Sequence, residues 1–309
     1  MAKASNLIKF TSFRSEDEAI ALFESLRWPN GAACPHCGGA DPYKLTPKAT
    51  TTTRTQRGVW KCSQCRKKFT AKVGTVLEAS HIPVSKWLMA FHLIASSKKG
   101  MSALQFARML GITYRAAWFM AHRIRHAMAE DGTFPLSGIV EADETYIGGR
   151  PRKNGVPRPK TAVVALVQRQ GKVIAMPMER VTADTVGKVI EKHVKHNATL
   201  MTDEAGIYKS YAEMADMKHE TVNHSKDEYV RGTASTNTVE GFFSLLKRGI
   251  NGTFHHVSKG HLHRYCDEFA FRYNTRIALG VGDRDRTVKM VRAAEGKRLT
   301  YRQPSGVCA

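Results

Sequence analysis

Two pairs of cysteines constrain this chain more than any other feature. Cys34-Pro35-His36-Cys37 and Cys62-Ser63-Gln64-Cys65 form the pattern C-x2-C-x24-C-x2-C. Each turn sets two thiolates about 3.5–4 Å apart, the edge of a tetrahedral Zn²⁺ site with Zn–S bonds near 2.3 Å. Gly38-Gly39 follows the first pair and suits a knuckle that needs positive φ. Thr52, Thr53, Val59, Trp60 and Phe69 supply strand formers around the pairs, as in a zinc ribbon. A disulfide pair or a thioredoxin-like redox motif competes, but two symmetric knuckles in a chain without a secretory segment favour zinc. Four thiolates leave no open position, so the metal is expected to be structural, holding together a region with little core. His36 is expected to be exposed rather than a ligand. Cys266 reads as a small buried hydrophobe, and no role is expected for Cys308.

Charge says what such a platform meets. The 309 residues carry 48 Lys+Arg against 27 Asp+Glu, a net charge of +21. Apolar residues at 42% are enough for a real core, which excludes bulk disorder. The apolar run at 162–167 is too short to span a bilayer, and the N-terminus carries no apolar signal region. The expectation is a soluble protein of the cytoplasm, associated with the nucleoid, whose partner is a nucleic acid rather than a membrane. Arg54, Arg57, Lys61, Arg66, Lys67, Lys68 and Lys72 form an acid-free stretch on and around the second knuckle, which reads as a phosphate-contact surface.

The chain divides into an N-terminal helix at 1–27, the ribbon at 28–76, a helix-turn-helix segment at 77–130, an α/β region at 136–280 and a basic tail at 281–309. Ser15 is the expected cap of the first helix, with Glu16, Asp17 and Glu18 in its first turn. Ala107 and Gly111 are four apart, as a tight helix-turn-helix corner requires. The helix after it, from Thr113 to about Met128, is basic and is a candidate for the major groove through Arg115, Arg123 and Arg125. From Gly138 the texture becomes strand, hairpin, helix, short strand and two further helices, with an acid-free, proline-rich loop at 150–160.

The acids of that region are the most specific signal. Asp143 sits within a strand among Ile139, Val140, Tyr146 and Ile147, where an Asp is costly unless paired or metal-bound. Asp203 ends the short strand at 199–202. Two carboxylates on adjacent strands can grip divalent cations through hard oxygen ligands. A helix at 235–248 offers a third ligand from Asn237 or Glu240, which are three apart and share a face. Lys247 lies near that face one heptad on, placed to meet a phosphate.

Glu141-Ala142-Asp143-Glu144-Thr145-Tyr146-Ile147-Gly148-Gly149 resembles the first acidic strand of bacterial insertion-sequence transposases with an RNase H-like DD(E/N) catalytic domain. Asn237-Thr238-Val239-Glu240-Gly241-Phe242-Phe243-Ser244-Leu245-Leu246-Lys247-Arg248 resembles the third motif of that family, and His255-His256-Val257-Ser258-Lys259 with Arg272-Tyr273-Asn274 resembles its tail. The resemblance spans nearly the whole chain. It implies an α/β fold with an RNase H-like mixed-sheet catalytic domain, preceded by a zinc ribbon and a helix-turn-helix segment. It also implies two catalytic Mg²⁺ ions bridged by Asp143 and Asp203, phosphate contacts from Lys247, Arg248 and His224, and binding to terminal inverted repeats and target DNA as a homo-oligomer. The usual third residue is Glu; in this group it is often Asn, here Asn237, with Glu240 as its rival. A non-catalytic regulator with the same ribbon and helices, or a nuclease on the same fold, are the competing functions.

Overall fold

The computed structural model describes residues 13, 15–46, 57–130, 134–149, 159–203, 206–222, 230–231 and 234–301. Thr52, Thr53, Arg54, His224, Cys308 and residues 150–158 of the basic loop lie outside the described residues. The chain forms two compact units.

The first unit draws on the described parts of Met1–Ser97, Met101–Met128 and Gly282–Ala309. Helix α1 (Glu16–Arg27) starts where expected, with the Ser15 hydroxyl accepting from the Glu18 amide at 3.2 Å. Strands β1 (Pro42–Lys44), β2 (Val59–Cys62) and β3 (Lys68–Thr70) form an antiparallel sheet in the order β1-β2-β3. Helix α2 (Val84–Ser96) buries Trp87, Leu88, Phe91 and Ile94. Helices α3 (Ala103–Leu110) and α4 (Tyr114–Met128) meet at Gly111, whose φ of 58° closes the corner without a Cβ clash. The stretch read as a basic tail contains a helix (Asp283–Arg292) that packs on α2 and buries Met290 and Val291. Its charged residues outnumber its apolar ones, so periodicity concealed the two that enter the core.

The second unit comprises Lys98–Gly100 and Ala129–Val281. Its strands are β4 (Ile139–Gly148), β5 (Lys160–Gln168), β6 (Val173–Met178), β7 (Thr199–Thr202) and β8 (His219–Thr221), ordered β6-β5-β4-β7-β8. Strands β4, β5 and β6 pair antiparallel, whereas β7 lies parallel to both β4 and β8. In the unit's own count the order is third, second, first, fourth, fifth, the arrangement of RNase H-like sheets.

Both faces of this sheet are covered, which explains why β5 reads as a continuous apolar run. Val163, Ala165 and Val167 face a core with Val239, Phe242 and Leu246 of α7 (Asn237–Gly249) and with Cys266 and Phe269 of α8 (Leu262–Asn274). Val164 and Leu166 face Val186 and Ile190 of α5 (Ala183–His193) and Tyr208 of α6 (Gly206–Met214). Gly249 lets α7 approach α8 closely: a Cβ there would stand 2.0 Å from the Phe269 ring. Cys266 is fully buried, as its place in an apolar helix face anticipates.

Candidate functional site

The four ribbon thiols are brought together. Cys34 and Cys65 stand 3.7 Å apart through their sulfurs, and Cys37 and Cys62 stand 3.6 Å apart. A tetrahedron with Zn–S bonds near 2.3 Å has edges of about 3.8 Å, so the donor set fits zinc. Each knuckle builds itself. The Gly38 amide donates to the Cys34 carbonyl, and the Cys65 amide points at the Cys62 sulfur at 3.5 Å. That amide, with the Gln64 amide, draws the Cys62 thiol down to about 7, toward the thiolate a metal requires. The residue after each pair has a left-handed backbone: Gly38 at φ 76° and Arg66 at φ 61°. His36 is exposed.

The acids are gathered from three elements. Asp143 lies in β4 opposite Ala165 of β5, Asp203 follows directly on β7, and Glu240 lies in the first turn of α7. Burial pushes the Asp143 carboxyl up to about 7, reinforced by the charges of Asp203, Glu144 and Glu240 and opposed by the Glu144 amide, which donates to Asp143 Oδ1 at 2.7 Å. Asp203 and Glu240 are therefore near enough to act on Asp143 electrostatically. Asn237 is the first residue of α7 and is exposed, as is Glu240. Among the described residues, only the four cysteines bring three or more His, Cys, Asp or Glu ligand atoms within 4.8 Å of one another. The acids are a looser set than the thiols. Hard oxygen donors are the kind of ligand suited to a cation that keeps part of its water shell, as Mg²⁺ does.

Sequence reasoning missed the residues that hold this set in place. Glu141 is 0% exposed, and its carboxylate caps α7 from 97 residues away. Oε2 accepts from the Thr238 amide at 2.7 Å and the Val239 amide at 3.0 Å; Oε1 accepts from the Thr238 hydroxyl at 2.9 Å. Arg169 Nε donates to Oε1 at 2.6 Å, and its Nη2 donates to the Ser235 carbonyl and hydroxyl at 3.1 and 2.6 Å. On the other face of β4, the fully buried Tyr208 donates to Glu144 at 2.8 Å. Burial and the neighbouring Glu144 raise the Tyr208 phenol far above its ordinary range, so it stays a donor. One signal was available: three acids at 141, 143 and 144 of one strand are too many for its β-propensity unless each has a partner.

The basic candidates divide by exposure. Arg66, Lys67 and Lys68 are exposed around the second knuckle, and Arg115, Lys247 and Arg248 are exposed on their helices. Arg123 and Arg125 correct the sequence reading. They are 8% and 3% exposed, and Arg123 donates to the carbonyls of Leu299 and Glu78 at 3.1 and 3.0 Å. That side of α4 belongs to the core and is not a groove-reading face. Lys72 is likewise occupied, donating to the Ser80 carbonyl at 2.7 Å. In the second unit, Lys160, His255, His256 and Lys259 line a cavity of about 570 Å³ beside the end of β4.

The two units thus carry a ribbon of four thiols and an RNase H-like mixed sheet with acids at adjacent central strands. Comparison with known proteins is more specific. The family model for the ISXO2-like transposase domain matches residues 135–274, and the model for the transposase zinc-ribbon domain matches residues 14–68. Together they match more than half of the chain, which belongs to this family of insertion-sequence transposases. A relative described as an uncharacterized protein in transposable element ISH50, from Halobacterium salinarum, is 26% identical over 285 residues, covering 86% of this chain and 93% of its own. Among the described residues, no helix is long and apolar enough to cross a membrane.

Proposed function

We propose that this transposase binds the ends of its element at the nucleoid and catalyses Mg²⁺-dependent cleavage and joining of phosphodiester bonds. The carrying observation is the Asp143 carboxyl, half-buried and raised to about 7 beside Asp203 and Glu240. A group of like charges held together in a basic protein costs stability unless a cation offsets it. Asp143 and Asp203 would hold the cations, and the first turn of α7 would complete the set with Asn237 or Glu240. Two bound Mg²⁺ ions would stabilise the attacking and leaving oxygens of an in-line displacement.

The chain's own residues supply the rest. The Glu144 amide orients one Asp143 oxygen, leaving the other for a cation. Lys247 and Arg248, exposed at the far end of α7, offer phosphate contacts that hold the strand in line. Arg66, Lys67 and Lys68, on a ribbon stabilised by one Zn²⁺, and Arg115, on α4, bind the DNA electrostatically. Joining two ends to a target calls for at least two protomers.

The test is a strand-transfer assay with duplexes taken from the DNA flanking the protein's own reading frame. Asp143→Ala and Asp203→Ala are expected to abolish Mg²⁺-dependent cleavage and joining while end binding persists. Retained strand transfer in either variant would sink the assignment. Asn237→Ala and Glu240→Ala rank the third ligand: the family resemblance expects the larger loss at Asn237, and an equal or greater loss at Glu240 reassigns the role. Cleavage without joining by the wild type would make it a nuclease; end binding without cleavage would make it a regulator.

A further inference from the structure

We propose that Glu141 is a positioning residue for the acid site, seating the first turn of α7, and with it Asn237 and Glu240, against the strand that carries Asp143. The proposal rests on the reading of that site given above.

A helix start leaves four amides without internal partners, and a side chain at the N-cap usually meets one of them. Thr236, the N-cap of α7, does not. Its hydroxyl donates instead to Glu240 Oε1 at 3.0 Å. The Thr238 and Val239 amides go to a single oxygen of Glu141. A local cap would tie α7 only to its own preceding loop. Glu141 ties it to β4, two residues from Asp143, on the same face of the strand. Arg169 completes the clip by holding Glu141 and Ser235, the residue before the cap, at once.

This arrangement has a further chemical consequence. The amides at a helix start form a ready site for a phosphate. Here a buried carboxylate already occupies two of them, those of Thr238 and Val239, so α7 does not offer that pair to the DNA backbone. Its contribution to the reaction passes through the side chains of its first turn and the cations at its far end. Their distance from Asp143 is set by bonds of 2.6 to 3.0 Å to one carboxylate.

The experiment compares wild type, Glu141→Gln, Thr238→Val and Asp143→Asn as zinc-loaded full-length protein. Cleavage of the reading-frame-flanking duplex is followed as a function of Mg²⁺ and of DNA. Gln keeps an acceptor for the helix amides but cannot also accept from Arg169 on its nitrogen, so the clip is skewed. Glu141→Gln is expected to lower kcat about 10- to 100-fold and raise the half-saturating Mg²⁺, with KM for the duplex unchanged. Excess Mg²⁺ is expected to restore part of the loss. A purely structural clip would lower the melting temperature and leave the Mg²⁺ dependence of the folded fraction as in wild type. Thr238→Val removes one hydroxyl bond and is expected to shift the Mg²⁺ dependence in the same direction by a smaller factor; it carries the test if Glu141→Gln does not fold. Wild-type kcat and Mg²⁺ dependence in the folded Glu141 variant, or in the Thr238 variant where the former does not fold, overturns the positioning role when Asp143→Asn is inactive. An active Asp143→Asn overturns the acid-site reading itself.

Discussion

The thiol cluster and the acidic cluster are built in opposite ways. The thiols come from two short turns, each closed by its own backbone bonds, and their sulfurs already stand at 3.6 and 3.7 Å. The acids come from β4, the end of β7 and the first turn of α7, and no local turn gathers them. They are brought together by distant contacts: Glu141 to the start of α7 and Glu144 to Tyr208. Sulfur ligands in a closed tetrahedron make a stable joint. Carboxylates held near one another without a full cage keep open positions, which chemistry at a phosphodiester needs. Closure suits a part that folds around its metal, and openness suits the reaction proposed for the acids.

The strongest way to break this contrast is Cys34→Ser. Removing one of four ligands is expected to release the zinc and leave residues 28–76 open to proteolysis, since the metal supplies much of the folding energy of such a module. Zinc content by elemental analysis is the check; an unchanged stoichiometry would mean that the thiols do not form the site.

The next effect concerns the strain on the acids. The folded carboxyl of Asp143 stands at about 7, against about 4 in an unfolded chain. Its contribution is complete below about pH 4 and is lost as pH rises to 7, because the native state binds the proton that the unfolded state releases. Metal-free Asp143→Asn is therefore expected to melt above the wild type at pH 8 and level with it at pH 4. Mg²⁺ is expected to narrow the gap at pH 8 by stabilising only the wild type. Equal melting temperatures at pH 8 without metal would show that the acids are not strained.

The smallest effect is expected from Tyr208→Phe. It removes one buried hydrogen bond to Glu144, worth on the order of 1 kcal/mol, and should lower the melting temperature by a few degrees. A drop as large as that from a core cavity would mean that α6 depends on this bond far more than on its packing.

How much of this was legible in the sequence follows the same division. The knuckles, the Ser15 cap, the Gly111 corner and the β5–β6 hairpin are short-range features, written within a few residues of where they act. Helix α6 was missed: it is nine residues long, and it buries only Tyr208 and Ala212. The burial of Arg123 and Arg125 was missed because an arginine can sink its aliphatic stem into a core and spend its charge on carbonyls, which composition does not reveal. Glu141 was missed because its partners lie 28 and 97 residues away, whereas a helix cap is ordinarily sought beside the helix. Asp143 was legible as an acid out of place in a strand and Asp203 as the acid that ends a short one; the contacts around them were not.

The two knuckles also differ at one equivalent position. Gly38 takes its left-handed turn freely, whereas Arg66 takes the same turn with a side chain attached, at a cost on the order of 1 kcal/mol. A screen for a sturdier ribbon would choose glycine at position 66 first. It would thereby remove an exposed cation that the proposed function assigns to DNA, so the most stable version of this module and its best DNA-contacting version would be different sequences.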